Sequence, residues 1–307
     1  MSGNAATPEN AHTPENAPGD SRRWTRKRMV VPALLALTVL VVPVVATAAS
    51  ATPEAPARVS TTAKAPASTT AKPTVVLVHG AFADASSWDG VVKRLQRQGY
   101  PVVAVANPLR DLGGDSAYTS SVLDGIPGPV VLVGHSYGGE VITNAAVGHP
   151  NVKALVYVAA YAPDQGESGL TLTGKFPGSR LGANLVTHAF PVPGGGSDVE
   201  GTVNPVAFHE VFAGDLPKSR AAAMAATQRP VALAALGTPS GVPAWRTIPS
   251  WYLVAGSDLA IPAAAERFMA KRAGAHTIEI KGASHVVMMS HPDRTTDLIT
   301  AAAKATS

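Results

Sequence analysis

The sequence contains no cysteine, which excludes a disulfide scaffold, a thiolate metal site and a cysteine nucleophile. Charge is also sparse, at 15% of residues against 46% hydrophobic, so most of the chain can bury a core and is not disordered throughout. No basic stripe survives outside the N-terminal leader. Of 25 basic and 21 acidic residues, five basic and three acidic precede Ala49, which leaves 20 and 18 for the rest. That near-balance gives no electrostatic ground for a nucleic-acid partner. No glutamate lies within a histidine pair spaced i, i+4, so no metal is expected. The glycines form neither a phosphate-binding loop nor a nicotinamide fingerprint after the first strand, so no cofactor is expected either. A length of 307 residues allows one large domain or two small ones.

What is present begins with a leader. Residues 1–20 repeat Thr-Pro-Glu-Asn at Thr7–Asn10 and Thr13–Asn16 and have little to bury, which reads as disorder. A positive cluster, Ser21–Arg28, precedes the 18-residue apolar run Met29–Ala46 and the small residues Ala46-Thr47-Ala48. Residues 1–48 thus read as a disordered N-terminus and a secretory signal peptide. Arg22-Arg23 partly match a twin-arginine signal, although Thr25 stands where a large apolar residue is usual. The alternative is an uncleaved anchor through residues 29–46, at the lower edge of what spans a bilayer, with Pro32 and Pro43 against a straight helix. Either way the domain works outside the cytoplasm, and cleavage of the signal would leave no stable membrane insertion. Ala49–Pro73, rich in Ala, Thr, Pro and Ser, reads as a flexible linker. The folded domain is expected over residues 74–307.

Within it, short apolar runs rich in β-branched residues alternate with helical patterns. Thr74–His79, Val102–Ala106, Val130–Val133 and Val152–Ala159 read as strands buried on both faces. Trp88, Val91, Val92 and Leu95 fall at i, i+3, i+4 and i+7 of a helix, with Ser86 and Asp89 spaced as its capping box. Further helices are expected over Asp115–Ile126 and Ser136–Val147. The rhythm stops at Ala162–Thr247, a stretch too long for an ordinary loop, with Pro191-Val-Pro-Gly-Gly-Gly196 and a helical patch at Lys218–Thr227. It reads as a helical cap over about residues 162–247. Strands resume at Trp251–Ala255 and His276–Ile280, followed by a last helix over Ser290–Ala303, where Ser290 and Asp293 again suggest a capping box. The fold class is therefore α/β: a mostly parallel six-stranded sheet, helices on both faces, and an inserted helical cap.

Gly134-His-Ser-Tyr-Gly138 follows a strand and opens a helix, the setting a nucleophile elbow G-x-S-x-G requires. Such a turn lifts the Ser136 hydroxyl above the sheet, with glycines where a Cβ would meet backbone. A serine hydroxyl needs a base, and His285 lies after the last strand. The base needs a carboxylate to hold its tautomer. Asp258, just past Trp251–Ala255, is the first candidate, and Asp164, after the fourth strand, is the rival. Backbone N–H groups of Tyr137 and of Ala81, with Phe82 as second choice, would form the oxyanion hole. His291 reads as part of a helix start, His135 as packing, His79 as an organiser of the turn at Gly80, and His188 and His209 as exposed cap residues. Met224, Met288 and Met289 read as core or pocket lining.

His79-Gly-Ala-Phe82, Gly134-His-Ser-Tyr-Gly-Gly139, Asp258 and Ser284-His-Val-Val-Met288 together resemble the α/β-hydrolase superfamily over roughly Thr74–Ala303. The order Ser136, Asp258, His285 is that of this superfamily and differs from chymotrypsin and subtilisin. The short His-Gly-Ala turn and the methionine three residues after His285 resemble the methyl-esterase and hydroxynitrile-lyase group. By that resemblance Ser136, Asp258 and His285 would be the triad, with Ala81 and Tyr137 as oxyanion donors. Two departures narrow the chemistry. Cyanohydrin-cleaving members carry lysine where this chain has Val286, and dehalogenases carry an aspartate nucleophile where it has Ser136. The expectation is an exported serine hydrolase acting on a small-molecule carboxylic ester. The alternatives are a cofactor-free perhydrolase on the same triad and a ligand-binding protein that only keeps the fold.

Overall fold

The computed structural model describes residues 72–306. The leader, read above as signal peptide or anchor, and most of the linker lie outside them. In chain order, the first half comprises β1 (Thr74–Val78), α1 (Asp89–Arg97), β2 (Val102–Val105), α2 (Leu112–Asp124), β3 (Val130–Ser136), α3 (Tyr137–Ala145) and β4 (Val152–Ala160). An insertion follows, with α4 (Gly169–Lys175), β5 (Leu185–Pro191), β6 (Ser197–Val203), α5 (Pro205–Phe212), α6 (Lys218–Ala226), β7 (Val231–Ala232) and α7 (Leu233–Gly237). The chain then returns through β8 (Ser250–Ala255), α8 (Ala263–Arg272), β9 (His276–Ile280), α9 (Val287–Ser290) and α10 (Pro292–Ala305).

Six strands make one parallel sheet in the order β2-β1-β3-β4-β8-β9. Every residue of β3 and β8 is buried, as two-sided helix cover demands, and this is why both read as unbroken apolar runs. α1 packs on α10 and α2 on α3, one pair on each face. In α1 the expected stripe faces inward, with Trp88, Val91 and Leu95 fully buried. The chain leaves β1 for β2 on one side and returns to β3 on the other. The crevice at the carboxyl ends of β1 and β3 is therefore the topological switch point where open α/β sheets place their ligands.

Three local expectations are corrected. The capping oxygen before α1 comes from Asp84, which accepts the Ser86 N–H at 2.7 Å and starts a 3₁₀ turn over Ala85–Trp88, not from Ser86. α10 has no side-chain cap. Pro292 sets its first turn, while Asp293 is drawn away into a bidentate pair with Arg94 of α1. α2 starts at Leu112, earlier than expected, because Asp111 caps it by accepting the Gly114 N–H at 2.6 Å. The insertion carries the expected helices and also a three-stranded antiparallel sheet, β5-β6-β7. Its β5–β6 hairpin turns at Gly194, Gly195 and Gly196, all with positive φ. No helix among the described residues is long and apolar enough to cross a membrane.

Candidate active site

Ser136 ends β3 and precedes α3 at φ 53°, ψ −125°, a region a residue with a Cβ rarely adopts. The strain is imposed by backbone crowding. A Cβ on Gly134 would come within 2.5 Å of the Gly138 carbonyl oxygen, and one on Gly138 would strike the carbonyl oxygen of Val78 at the end of β1. A Cβ on Gly139 would collide with the Tyr161 carbonyl oxygen, a third close approach that the pentapeptide pattern does not include. The β3–β4 register shifts between His135 and Ser136, and the Tyr161 N–H then bonds the Ser136 carbonyl at 3.1 Å. A register slip beside a site re-aims one side chain while its neighbours stay paired.

The turn after β1 lies directly against this serine. A Cβ on Gly80 would stand 2.6 Å from Ser136 Cβ and 3.1 Å from its Oγ. The His79 Nδ1–H donates to the Gly80 carbonyl at 2.9 Å, and Asn107 Nδ2 donates to the His79 carbonyl at 3.1 Å. Both bonds fix the turn as expected of His79. Phe82 is held at φ 61°. The N–H groups of Ala81 and Phe82 bond no carbonyl among the described residues, and Tyr137 N–H is one of the unpaired amides that begin a helix.

His285 and Asp258 come from the loops after β9 and β8. His285 Nδ1–H donates to Asp258 Oδ2 at 2.5 Å, with the two residues 1% and 5% exposed. Asp258 Oδ1 accepts the N–H groups of Ala260 at 2.6 Å and Ile261 at 2.9 Å. A carboxylate so satisfied presents a fixed oxygen to the ring. Asp164 is engaged elsewhere, in an ion pair with Arg246 at 2.6 Å. His135 Nε2–H donates to the His285 carbonyl at 3.0 Å, and the two rings lie 4.8 Å apart. The residue preceding the serine thereby ties the histidine loop to the elbow. Ser136 and His285 are not hydrogen-bonded to each other; in ligand-free sites that contact is often long and tightens with substrate.

Burial sets the charge state of the surroundings. It lowers His79 to about 4 and His135 well below the usual histidine value, so both rings are neutral at neutral pH. Burial likewise raises the carboxyls of Glu140 on α3 and Glu266 on α8 well above the usual carboxylate range. Among the described residues no group of three His, Asp or Glu is placed to hold a metal ion. A cavity of about 170 Å³ opens beside Phe82, walled by Arg220, Met224 and Thr227 on and just after α6 and by Met289. Phe212 of α5 packs its ring 4.8 Å from that of His285. Neither Phe212 nor Glu266 carried a sequence signal, since each is an ordinary member of a helix. Of the cap histidines, His188 is exposed beside Glu200, and His209 is half-buried against the Leu216 carbonyl.

A serine at positive φ over a parallel sheet, with a buried Asp–His pair on the loops that follow β8 and β9 of the same sheet, is the architecture that family comparison now places. Residues 75–298 match the alpha/beta hydrolase family. The chain belongs to that family. The "Alpha/beta hydrolase nvfD" of Aspergillus novofumigatus is 31% identical over 254 residues, 76% of this chain and 97% of the relative. The "Pyrethroid hydrolase" of Sphingobium wenxiniae is 29% identical over 239 residues, 73% and 85% of the two chains. The crystal structure of polyneuridine aldehyde esterase superposes with a TM-score of 0.66 at 21% identity, over 75% of this chain and 98% of that one, which shows the shared α/β-hydrolase fold.

Proposed function

We propose that this α/β-hydrolase is an exported serine hydrolase that cleaves small-molecule carboxylic esters without a cofactor. Ser136 Oγ attacks the carbonyl carbon while His285 Nε2 takes its proton. The Asp258 carboxylate holds the ring in the tautomer with hydrogen on Nδ1 and stabilises the imidazolium. The tetrahedral oxyanion is received by the N–H groups of Ala81 and Tyr137. Collapse expels the alcohol, protonated by His285, and leaves an acyl-enzyme. Water deprotonated by His285 then releases the acid and restores Ser136. The observation that carries this reading is the buried Asp258–His285 bond at 2.5 Å, on loops of the same sheet as a serine held in a strained turn. Hydrolysis is also the reaction named for the Sphingobium relative.

The test is labelling by a fluorophosphonate probe, followed by an ester chain-length panel. Ser136→Ala is expected to abolish labelling and to lower turnover of p-nitrophenyl acetate by about 10⁴-fold or more with the fold intact. Wild-type turnover in that variant would remove the serine mechanism. Export predicts that protein recovered from the medium begins close to Ala49, and a membrane-bound full-length chain would instead favour the anchor.

A further inference from the structure

Asp258 has a second carboxyl for a neighbour. Glu266 on α8 is fully buried, and its Oε2 accepts the Ala255 N–H at 3.0 Å, three residues before Asp258. Its Oε1 meets no donor among the described residues, yet the carboxyl stands within hydrogen-bonding reach of the Asp258 carboxyl. Two carboxylates cannot share so dry a site, because like charges there repel strongly and neither has water. One of them must hold a proton. Asp258 already accepts three N–H groups, from Ala260, Ile261 and His285. Glu266 accepts only one. The proton therefore belongs on Glu266.

We infer that Glu266 is a positioning residue, a neutral acid whose Oε1–H donates to the Asp258 carboxylate and helps hold it toward His285. The inference rests on the proposed roles of Asp258 and His285. The other groups that face Glu266 are consistent with a neutral carboxyl. Tyr252 of β8 gives its O–H to the Ala160 carbonyl, and Tyr161 gives or shares its hydroxyl hydrogen with Thr173. Burial keeps both phenols protonated through the ordinary pH range. Arg267, a cation whose charge reaches Glu266, is on the same helix but is turned outward into a bidentate pair with Glu279 at 2.8 and 2.7 Å. The arrangement makes a relay of donors, Glu266 O–H to Asp258 and His285 N–H to Asp258, with one net negative charge behind the histidine and not two.

The test compares Glu266→Gln and Glu266→Leu in the full chain. The amide keeps a donor and neutrality, so its kcat is expected within about threefold of wild type, with the acid limb of the kcat/KM profile unmoved. Leucine removes the donor, and kcat is expected to fall by about tenfold or more at little change in KM. Wild-type kcat in the leucine variant would overturn the inference. So would an acid limb displaced to lower pH in the amide variant, because that shift means Glu266 was an anion raising the histidine. If the leucine variant does not fold, infrared difference spectroscopy of wild type against Glu266→Gln decides. A protonated carboxylic acid band at neutral pH, absent from the amide variant, is expected, and no such band would overturn the proton assignment. The infrared result needs no turnover, so it separates failure of this inference from failure of the serine mechanism.

Discussion

At residue scale, the site turns on which carboxylate serves His285. Asp258 and Asp164 both follow strands, and both were candidates on that ground alone. Asp258 sits on the short turn between β8 and α8, with two backbone N–H groups on Oδ1 and the imidazole on Oδ2. Asp164 is part exposed at the start of the insertion, where Arg246 takes its carboxylate. Asp258→Asn is therefore expected to lower kcat by about 10⁴ with the fold intact, because the amide favours the wrong imidazole tautomer. Asp164→Asn removes a partly exposed ion pair and is expected to change kcat by less than about tenfold, since such pairs contribute little. Steady-state kinetics on both variants with one activated ester checks this, and the reverse order of losses would move the acid to Asp164. The serine, the histidine and the two candidate acids were legible because each follows a strand in a recognisable local setting. Glu266 was not, because nothing in Ala-Ala-Ala-Glu-Arg-Phe distinguishes a glutamate buried beneath the site from one on a solvated helix face.

At the scale of elements, the elbow works because three glycines let α3 begin almost in contact with the ends of β1 and β4. At Gly138 an added Cβ would strike the carbonyl oxygens of Val78 and His79, which are main chain and cannot rotate away. Gly138→Ala is expected to lower stability by about 1–3 kcal/mol, the usual cost of overpacking, and to displace Ser136 enough to reduce probe labelling. Urea unfolding with labelling in parallel tests it, and wild-type behaviour in both would mean that α3 does not press on β1. The six sheet strands and α1 could be read from sequence because short runs of β-branched residues mark the strands and an apolar stripe at helical spacing marks α1. The β5–β6 hairpin could not. β5 is largely exposed along its length, so no face of it selects apolar residues, and backbone pairing with β6 holds it in place. The capping errors share a cause. Ser86 and Ser290 have suitable side chains, but Asp84 and Pro292 respectively control how those turns begin.

At the scale of the whole molecule, buried ionisable groups give the fold a characteristic pH response. Glu140 accepts the Gly169 N–H with one oxygen at 3.2 Å, while the other has no partner. Burial holds it and Glu266 protonated well above the ordinary 4.5. Above that pH the unfolded chain releases protons that the native chain keeps, so each group lowers stability by about 1.4 kcal/mol per pH unit until its folded value is reached. His79, lowered to about 4, and His135, lower than its ordinary 6.5, act in the opposite sense. Below 6.5 the unfolded chain binds protons that the native rings refuse, and stability falls as the solution is acidified. The two trends offset between about 4.5 and 6.5, which leaves a decline above that window and, where the His135 ring still refuses its proton, another below it. Glu140→Gln is accordingly expected to gain stability over wild type at pH 8 and to lose that advantage near pH 4.5, by urea unfolding at both values. An equal difference at the two pH values would mean that Glu140 is not buried as a neutral acid. The sequence by itself determined the parallel α/β sheet, the elbow and the order of candidate residues, because strand runs, turn glycines and helix stripes are written in near neighbours. Tertiary structure alone decided which aspartate meets His285, what stands behind it and how the cap is paired. Those contacts join residues from separate strands and helices, and they depend on sheet order and burial that no local pattern records.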